Sequence, residues 1–230
     1  MLDKIIIMAT FVPLRPTAES EEVLSRLSQE EKDGMTRKCV QACIVLSQNR
    51  TPIKKADLNK LVFSTSHFRL HNAVIQNANH DLNKHYGMRL FELSDKARYL
   101  LVNTKADFTS YQTFNQEECN EFTVLYFILI ELFASPDENI SEEDIRNSLS
   151  PMKMTNDELK SCLDSLTKHL YLTQTRNQDT RSYAWGPRSM AEVDPDIFFK
   201  LFLEMVGDTS DKDWPEQKKR VDKLRAIENR

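Results

Sequence analysis

Twice along the chain a run of helical periodicity breaks off and is replaced by two short apolar segments on either side of a polar turn. In the first instance Val74, Ala78, Leu82 and Tyr86 recur every four residues, which predicts a helix over 70–86 capped by Gly87. Met88–Leu93 and Tyr99–Asn103 follow, joined by Ser94-Asp95-Lys96-Ala97-Arg98, and read as a β-hairpin. In the second instance Leu159, Cys162, Leu163, Leu166 and Leu170 mark one face of a helix opened by Thr155 and Glu158, the residue types of a capping box. Tyr171–Arg176 and Ser182–Trp185 then make a second hairpin around Asn177-Gln178-Asp179-Thr180.

What precedes each hairpin also repeats. Val40, Cys43, Ile44 and Leu46 give a helix over 35–48. Pro52 stops it, Ile53 suits a short strand, and Leu58, Leu61 and Val62 carry a helix over 54–63. Farther on, Phe122 to Phe133 is apolar almost all round, the mark of a buried helix, and Pro136 ends it. Ser141 with Asp144 opens a short helix bearing Ile145 and Leu149. Helix, short strand, helix, helix, hairpin is the winged-helix order. The expected fold is therefore α+β and mostly helical, with tandem winged-helix units over 35–105 and 106–193 packed on each other and the polar stretch 104–115 as connector.

Three further segments flank these units. Residues 1–34 read as a partly disordered N-terminal segment, with Leu24 and Leu27 at helical spacing. Its apolar run Ile5–Val12 suits a strand or packed tail better than a signal peptide, because Asp3 precedes it and no small-residue cleavage site follows. A C-terminal helix over 194–207 is well marked: Asp194 as N-cap, Pro195 in the first turn, Gly207 at the end, and Phe198, Leu201, Phe202 and Met205 on one stripe. Residues 208–230, dense in both charges, read as a charged tail, frayed or weakly helical.

Composition narrows the function. The net charge of -4 is wrong for a protein whose main task is gripping bare duplex. Four glycines leave little room for phosphate-cradling loops, and no nucleophile or His-Glu-x-x-His motif occurs. Cys39, Cys43, Cys119 and Cys162 lack the close pairs of a zinc site, and His67, His71, His80, His85 and His169 are scattered over helical surfaces. No segment is long and apolar enough to span a bilayer. The chain is expected to be an intracellular, soluble protein without enzyme activity, cofactor, metal, membrane partner or small-molecule substrate.

Two surfaces stand out for binding. Ile44 and Val45 cannot both face the small core that takes Val40 and Cys43, so they are candidates for docking a partner. Phe198 and Phe202 belong to an apolar surplus after a complete hairpin, so their helix docks on its own chain or on a partner. For DNA, the third helices are near neutral, with Asp81 and Lys84 in one and Asp157, Glu158, Lys160, Asp164 and Lys168 in the other. That disfavours a winged-helix transcription regulator reading base edges. Lys168, Arg176, Arg181 and Arg188 form the better basic cluster, suited to sequence-tolerant duplex binding.

The stretch Ser182-Tyr183-Ala184-Trp185-Gly186-Pro187-Arg188-Ser189-Met190-Ala191-Glu192 resembles the aromatic-x-x-Trp-Gly-Pro-Arg-Ala-x-Ala-Glu segment that ends the second wing of MAGE homology domains. Pro52-Ile53-Lys54-Lys55-Ala56-Asp57 is similar to that family's Pro-Ile-x-Lys-Ala-Glu. Leu82-Asn83-Lys84-His85-Tyr86-Gly87-Met88 and Tyr99-Leu100-Leu101-Val102-Asn103 are similar to its Leu-x-x-x-Phe-Gly-Ile and Tyr-x-Leu-Val-Asn pieces. The likeness runs over about 36–207, and Trp-Gly-Pro-Arg is its specific part. Tyr183, Trp185, Gly186, Pro187 and Arg188 are expected to build the fold, with Arg188 bonding carbonyls at the strand exit. A chain that is nearly all domain most resembles the family member of the Smc five/six genome-maintenance complex. The resemblance then implies a RING-type ubiquitin ligase subunit, a kleisin subunit and double-stranded DNA as partners. A cytoplasmic ligase adaptor of the same family is the alternative. The family's leucine-rich first helix is here Cys43-Ile44-Val45-Leu46, which departs from the pattern at the surface assigned to the RING subunit.

Overall fold

The computed structural model describes residues 11–12, 14–63, 69–104, 116–177, 180–207 and 214–228, which divide into two units, Met1–Lys105 and Ala106–Arg230. Most of the apolar run Ile5–Val12, the connector from 105 to 115, His67 and the turn residues Gln178 and Asp179 lie outside the described residues.

The first unit opens with strand β1 (Phe11–Val12) and helix α1 (Ala18–Ser25), then α2 (Gln29–Ser47), β2 (Ile53–Lys54), α3 (Lys55–Val62) and α4 (His71–Asp81), and ends with the hairpin β3 (Met88–Leu93) and β4 (Arg98–Asn103). Residues 17–34, expected in a partly disordered segment, form α1 and the start of α2. Each helix begins at a capping box, Thr17 with Ser20 and Ser28 with Glu31, which satisfies the orphan amides of its first turn. Leu24 and Leu27 pack half-buried against the core made by Cys39, Val40, Cys43, Leu58, Val74, Leu82 and Tyr99. Leu61, expected on the inner face of α3, is exposed.

The four-residue ladder of α4 fails at its last rung. Val74, Ala78 and Leu82 are fully buried, but Tyr86 is 55% exposed. Leu82–Tyr86 is a π-helical turn, closed by the Gly87 amide donating to the Leu82 carbonyl. The wider turn moves the buried face from the fourth to the fifth residue, which is Gly87 in the left-handed region (φ 65).

The second unit repeats the order with α5 (Gln116–Ala134), β5 (Ile140–Ser141), α6 (Glu142–Ser148), α7 (Asn156–Lys168) and the hairpin β6 (Leu172–Asn177) and β7 (Thr180–Trp185). Thr155 and Glu158 make the expected capping box. In both units the short strand after the first helix pairs with the second hairpin strand: the sheet orders are β1-β3-β4-β2 and β5-β7-β6. The duplication is thus one of topology as well as of element order.

Three C-terminal helices complete the second unit: α8 (Pro187–Glu192), α9 (Pro195–Val206) and α10 (Pro215–Glu228). The charged tail of the sequence reading is mostly α10, and it is packed. Val221 and Leu224 are buried, and so are Gln217 and Arg220. The Arg220 guanidinium donates to the carbonyls of Leu132 (3.1 Å), Phe133, Ser135 (2.6 Å) and Pro136 (3.2 Å) and lies 3.4 Å from Glu138. These carbonyls end α5 and lack helical partners, so a cation there answers both the hydrogen-bond deficit and the negative end of the helix dipole. A polar anchor of this kind leaves no apolar stripe to read.

Candidate functional site

The Trp-Gly-Pro-Arg segment forms a knot at the base of the second ribbon. Helix α7 ends with Leu170 in the left-handed region (φ 64), which turns three successive carbonyls outward. The Arg188 Nε donates to the His169 carbonyl at 2.9 Å and the Arg188 amide to the Leu170 carbonyl at 2.9 Å. The Gly186 amide and Ser189 hydroxyl both donate to the Tyr171 carbonyl, at 2.8 and 2.7 Å. Gly186 is needed for space: a Cβ there would fall on the Leu170 carbonyl oxygen and the Tyr171 backbone. Pro187 starts α8 at the position where a missing amide leaves no deficit.

Arg188 is therefore a fold residue. It is 4% exposed, pairs with Glu192 at 2.7 Å and lies over the Tyr171 ring, while the Tyr171 hydroxyl donates to the same Glu192 carboxylate. A guanidinium so enclosed is withheld from a phosphate, and Arg188 leaves the DNA-facing set. Tyr183 is buried with its hydroxyl toward Glu142 at 3.4 Å, and Trp185 is half-buried against Phe133 and Phe198.

The other three basic residues stay on the surface. Arg176 and Arg181 stand directly opposite each other on β6 and β7. Arg176 is exposed; Arg181 is half-buried and 3.8 Å from Glu142. Lys168 is exposed on the last turn of α7. Among the described residues Arg176 and Lys168 have no acidic partner within ion-pair distance.

The four apolar candidates separate in the same way. Val45 is 59% exposed, whereas Ile44 is half-buried against the first unit's core. Phe198 and Phe202 are 2% and 0% exposed, so they dock on their own chain and are not a partner surface. Both rings meet Phe133 edge-on at 5.4 and 5.2 Å, and Phe202 meets Trp214 at 5.0 Å. Ile197 near the start of α9 is exposed, and so are Val206 and Met205 at its C-terminal end, although Met205 shares the stripe of Phe198 and Phe202. Because α9 is apolar nearly all round, its pattern does not say which side turns inward.

The titratable groups of the interior are held unreactive. His71, read as a surface histidine, is buried and bonded through Nε2 to the Tyr99 hydroxyl at 2.7 Å, while its Nδ1 has no hydrogen-bond partner. Burial, with Lys55 adding, lowers its pKa to about 4. The Cys39 thiol is pushed up by its hydrogen bond with Cys43 and by burial, and burial pushes Cys162 up to about 12. Thiols held this way are protonated and poor nucleophiles. Cys119 lies outside the described side chains.

A duplicated helix-and-ribbon unit, with signature residues bonded to its own backbone, defines the class of domain. The family model of the MAGE homology domain matches residues 39–196, and the chain belongs to that family. It is 24% identical over 213 residues to the human non-structural maintenance of chromosomes element 3 homolog, covering 87% of this chain and 69% of the relative. A solved structure, the Nse1-Nse3-Nse4 complex, contains a chain of the same fold at a TM-score of 0.71 and 20% identity, covering 85% of this chain and 100% of that one. No described helix is long and apolar enough to cross a membrane.

Proposed function

We propose that the protein is a non-catalytic adaptor subunit of the Smc five/six chromosome-maintenance and DNA-repair complex, bound to chromatin in the nucleus. It holds a RING-type ubiquitin ligase subunit and a kleisin, and touches duplex DNA weakly and without regard to sequence. The observation that carries this reading is the family match across both units, together with the likeness to a chain of the Nse1-Nse3-Nse4 complex. Exposed apolar side chains in both units supply docking surface: Val45 in the first, Ile197, Met205 and Val206 in the second.

Coexpression with the RING-type and kleisin subunits tests the assembly. Val45→Asp is expected to remove the RING subunit from the purified complex with little change in thermal stability, because the side chain is open to solvent. Ile44→Asp serves as contrast, since it places a charge against the core and is expected to destabilise the fold itself. Recovery of the intact complex with Val45→Asp would move the RING contact off α2.

The DNA contact falls on Arg176, Arg181 and Lys168, now without Arg188. Charge reversal at Arg176 and Arg181 is expected to weaken duplex binding and flatten its salt dependence by about two units of slope. An unchanged affinity and slope would remove the wing from the DNA reading.

A further inference from the structure

The edges of the two ribbons differ in a way that points to a ligand class. In the first unit the outer strand β3 is partnered on its outer side. Val12 of β1 pairs with Glu92, and the Leu90 amide donates to the Asn79 side-chain oxygen at 2.7 Å. In the second unit β6 is the corresponding outer strand, and among the described residues no strand lies beyond it. The Gly186 amide bonded to the Tyr171 carbonyl sets the hydrogen-bond phase of this hairpin. Thr173 and Thr175 therefore turn their backbone groups toward β7, and Gln174 and Arg176 turn theirs away. Counted from the tip of each hairpin, Gln174 and Arg176 occupy the places of Leu90 and Glu92. Among the described residues neither of their outward amides has a partner. Gln174 is half-buried, while Thr175 and Arg176 are exposed.

Charge selects the occupant. On the first ribbon the two acidic side chains are paired, Glu92 with Lys55 of α3 at 3.6 Å and Asp95 with Arg98 at 2.6 Å. The second sets Arg176 against Arg181 across the strands; Glu142 lies 3.8 Å from Arg181, whereas Arg176 has no acidic partner among the described residues, so a further anion at Arg176 relieves the like-charge pair. A second copy pairing edge to edge would bring two such arginine pairs together, so self-association is opposed.

We infer that the outer edge of β6, at Gln174–Arg176, accepts an extended acidic peptide segment of a partner protein as a fourth antiparallel strand, as β1 completes the first ribbon. Backbone bonds supply the affinity and the arginine pair selects carboxylates. This goes beyond the adaptor reading and does not rest on it. It shares Arg176 with the DNA contact but uses the strand edge, which a duplex does not.

The probes are a set of octapeptides alternating Val or Thr with Glu or Asp, offered at up to millimolar concentration to the full chain labelled for amide spectroscopy. The expected result is a shift and slowed exchange at the Gln174 and Arg176 amides. Affinity should fall at least ten-fold when alternate peptide amides are N-methylated, and also with Gln174→Pro, which removes an outward donor. Retained protection of the Thr173 and Thr175 amides verifies that the hairpin survives Gln174→Pro. Arg176→Glu should reverse the preference toward Lys-containing peptides. A short duplex serves as the second arm: DNA is expected to lose affinity with Arg176→Glu and to ignore Gln174→Pro. The inference is overturned if no peptide in the set shifts these amides, if N-methylated peptides bind equally well, or if only the duplex binds there.

Discussion

In the first unit the ribbon is finished from the N-terminal side: β1 lies along β3, Phe11 rests on Phe91 with ring centres 4.9 Å apart, and α1 packs half-buried Val23 and Leu24 on the core. In the second the ribbon keeps a bare outer edge and support comes from the C-terminal side. There α8 ties up the carbonyls after α7, α9 contributes Phe198 and Phe202, and α10 caps α5. One topology is thus stabilised by opposite flanks. The duplicated element order alone does not form either unit's full set of contacts; a flank of roughly one to three short elements is part of each core.

The contrast breaks most visibly at Gly186. Its Cβ has nowhere to go, so Gly186→Ala is expected to cost about 3 kcal/mol, at the upper end of overpacking, read as a lowered urea midpoint. Retained stability would mean that the knot around Leu170 yields.

Acid separates the units next. The folded pKa of His71 lies below the ordinary 6.5, so its neutral form is favoured by folding. That stability is fully present above pH 6.5 and is lost as pH falls toward 4, where the unfolded chain takes up a proton that the native state refuses. The loss reaches about 3 kcal/mol for a shift of this size. Hydrogen exchange in the first unit should therefore accelerate more between pH 6.5 and 4 than in the second, after correction for intrinsic exchange, and His71→Phe should flatten the difference. A difference between the units that persists unchanged in His71→Phe would assign the effect elsewhere.

Arg220→Met tests the C-terminal flank. It strips several carbonyls of a charged donor and is expected to lower stability by about 2 kcal/mol, with increased exchange at the end of α5 and none in α2. The smallest effect is at Gly87, where left-handed backbone makes Gly87→Ala cost about 1 kcal/mol, read as a small drop in the urea midpoint.

Local chemistry was legible in the sequence and long-range chemistry was not. Capping boxes such as Thr155 with Glu158, and the Asp194, Pro195 and Gly207 punctuation of α9, act within one turn and read correctly. So did the bracing of the strand exit by Arg188, although the His169 carbonyl that it meets lies 19 positions back in the chain. Its second assignment, to DNA, failed because charge says nothing of burial: the left-handed Leu170 opens the carbonyls that enclose it. Tyr86 was misplaced because a π-helical turn breaks a period of four without changing residue types. The fate of Phe198 and Phe202 depended on Phe133 and Trp214, neither of which an amphipathic pattern identifies. Two-residue strands such as β1 and β5 are made by the sheet they join, and α10 is held by an arginine where a pattern reader looks for leucine.

The clasp between Arg220 and the end of α5 bridges 87 positions. During synthesis the ribosome releases α5 long before its clasp, so the greasiest helix of the protein must wait, unfinished, while the first unit already has all its parts. Vectorial production therefore separates the two folding events in time. It makes the interval before residue 220 emerges the period in which chaperones have most to bind, and a premature stop there would leave one competent unit joined to an incomplete one.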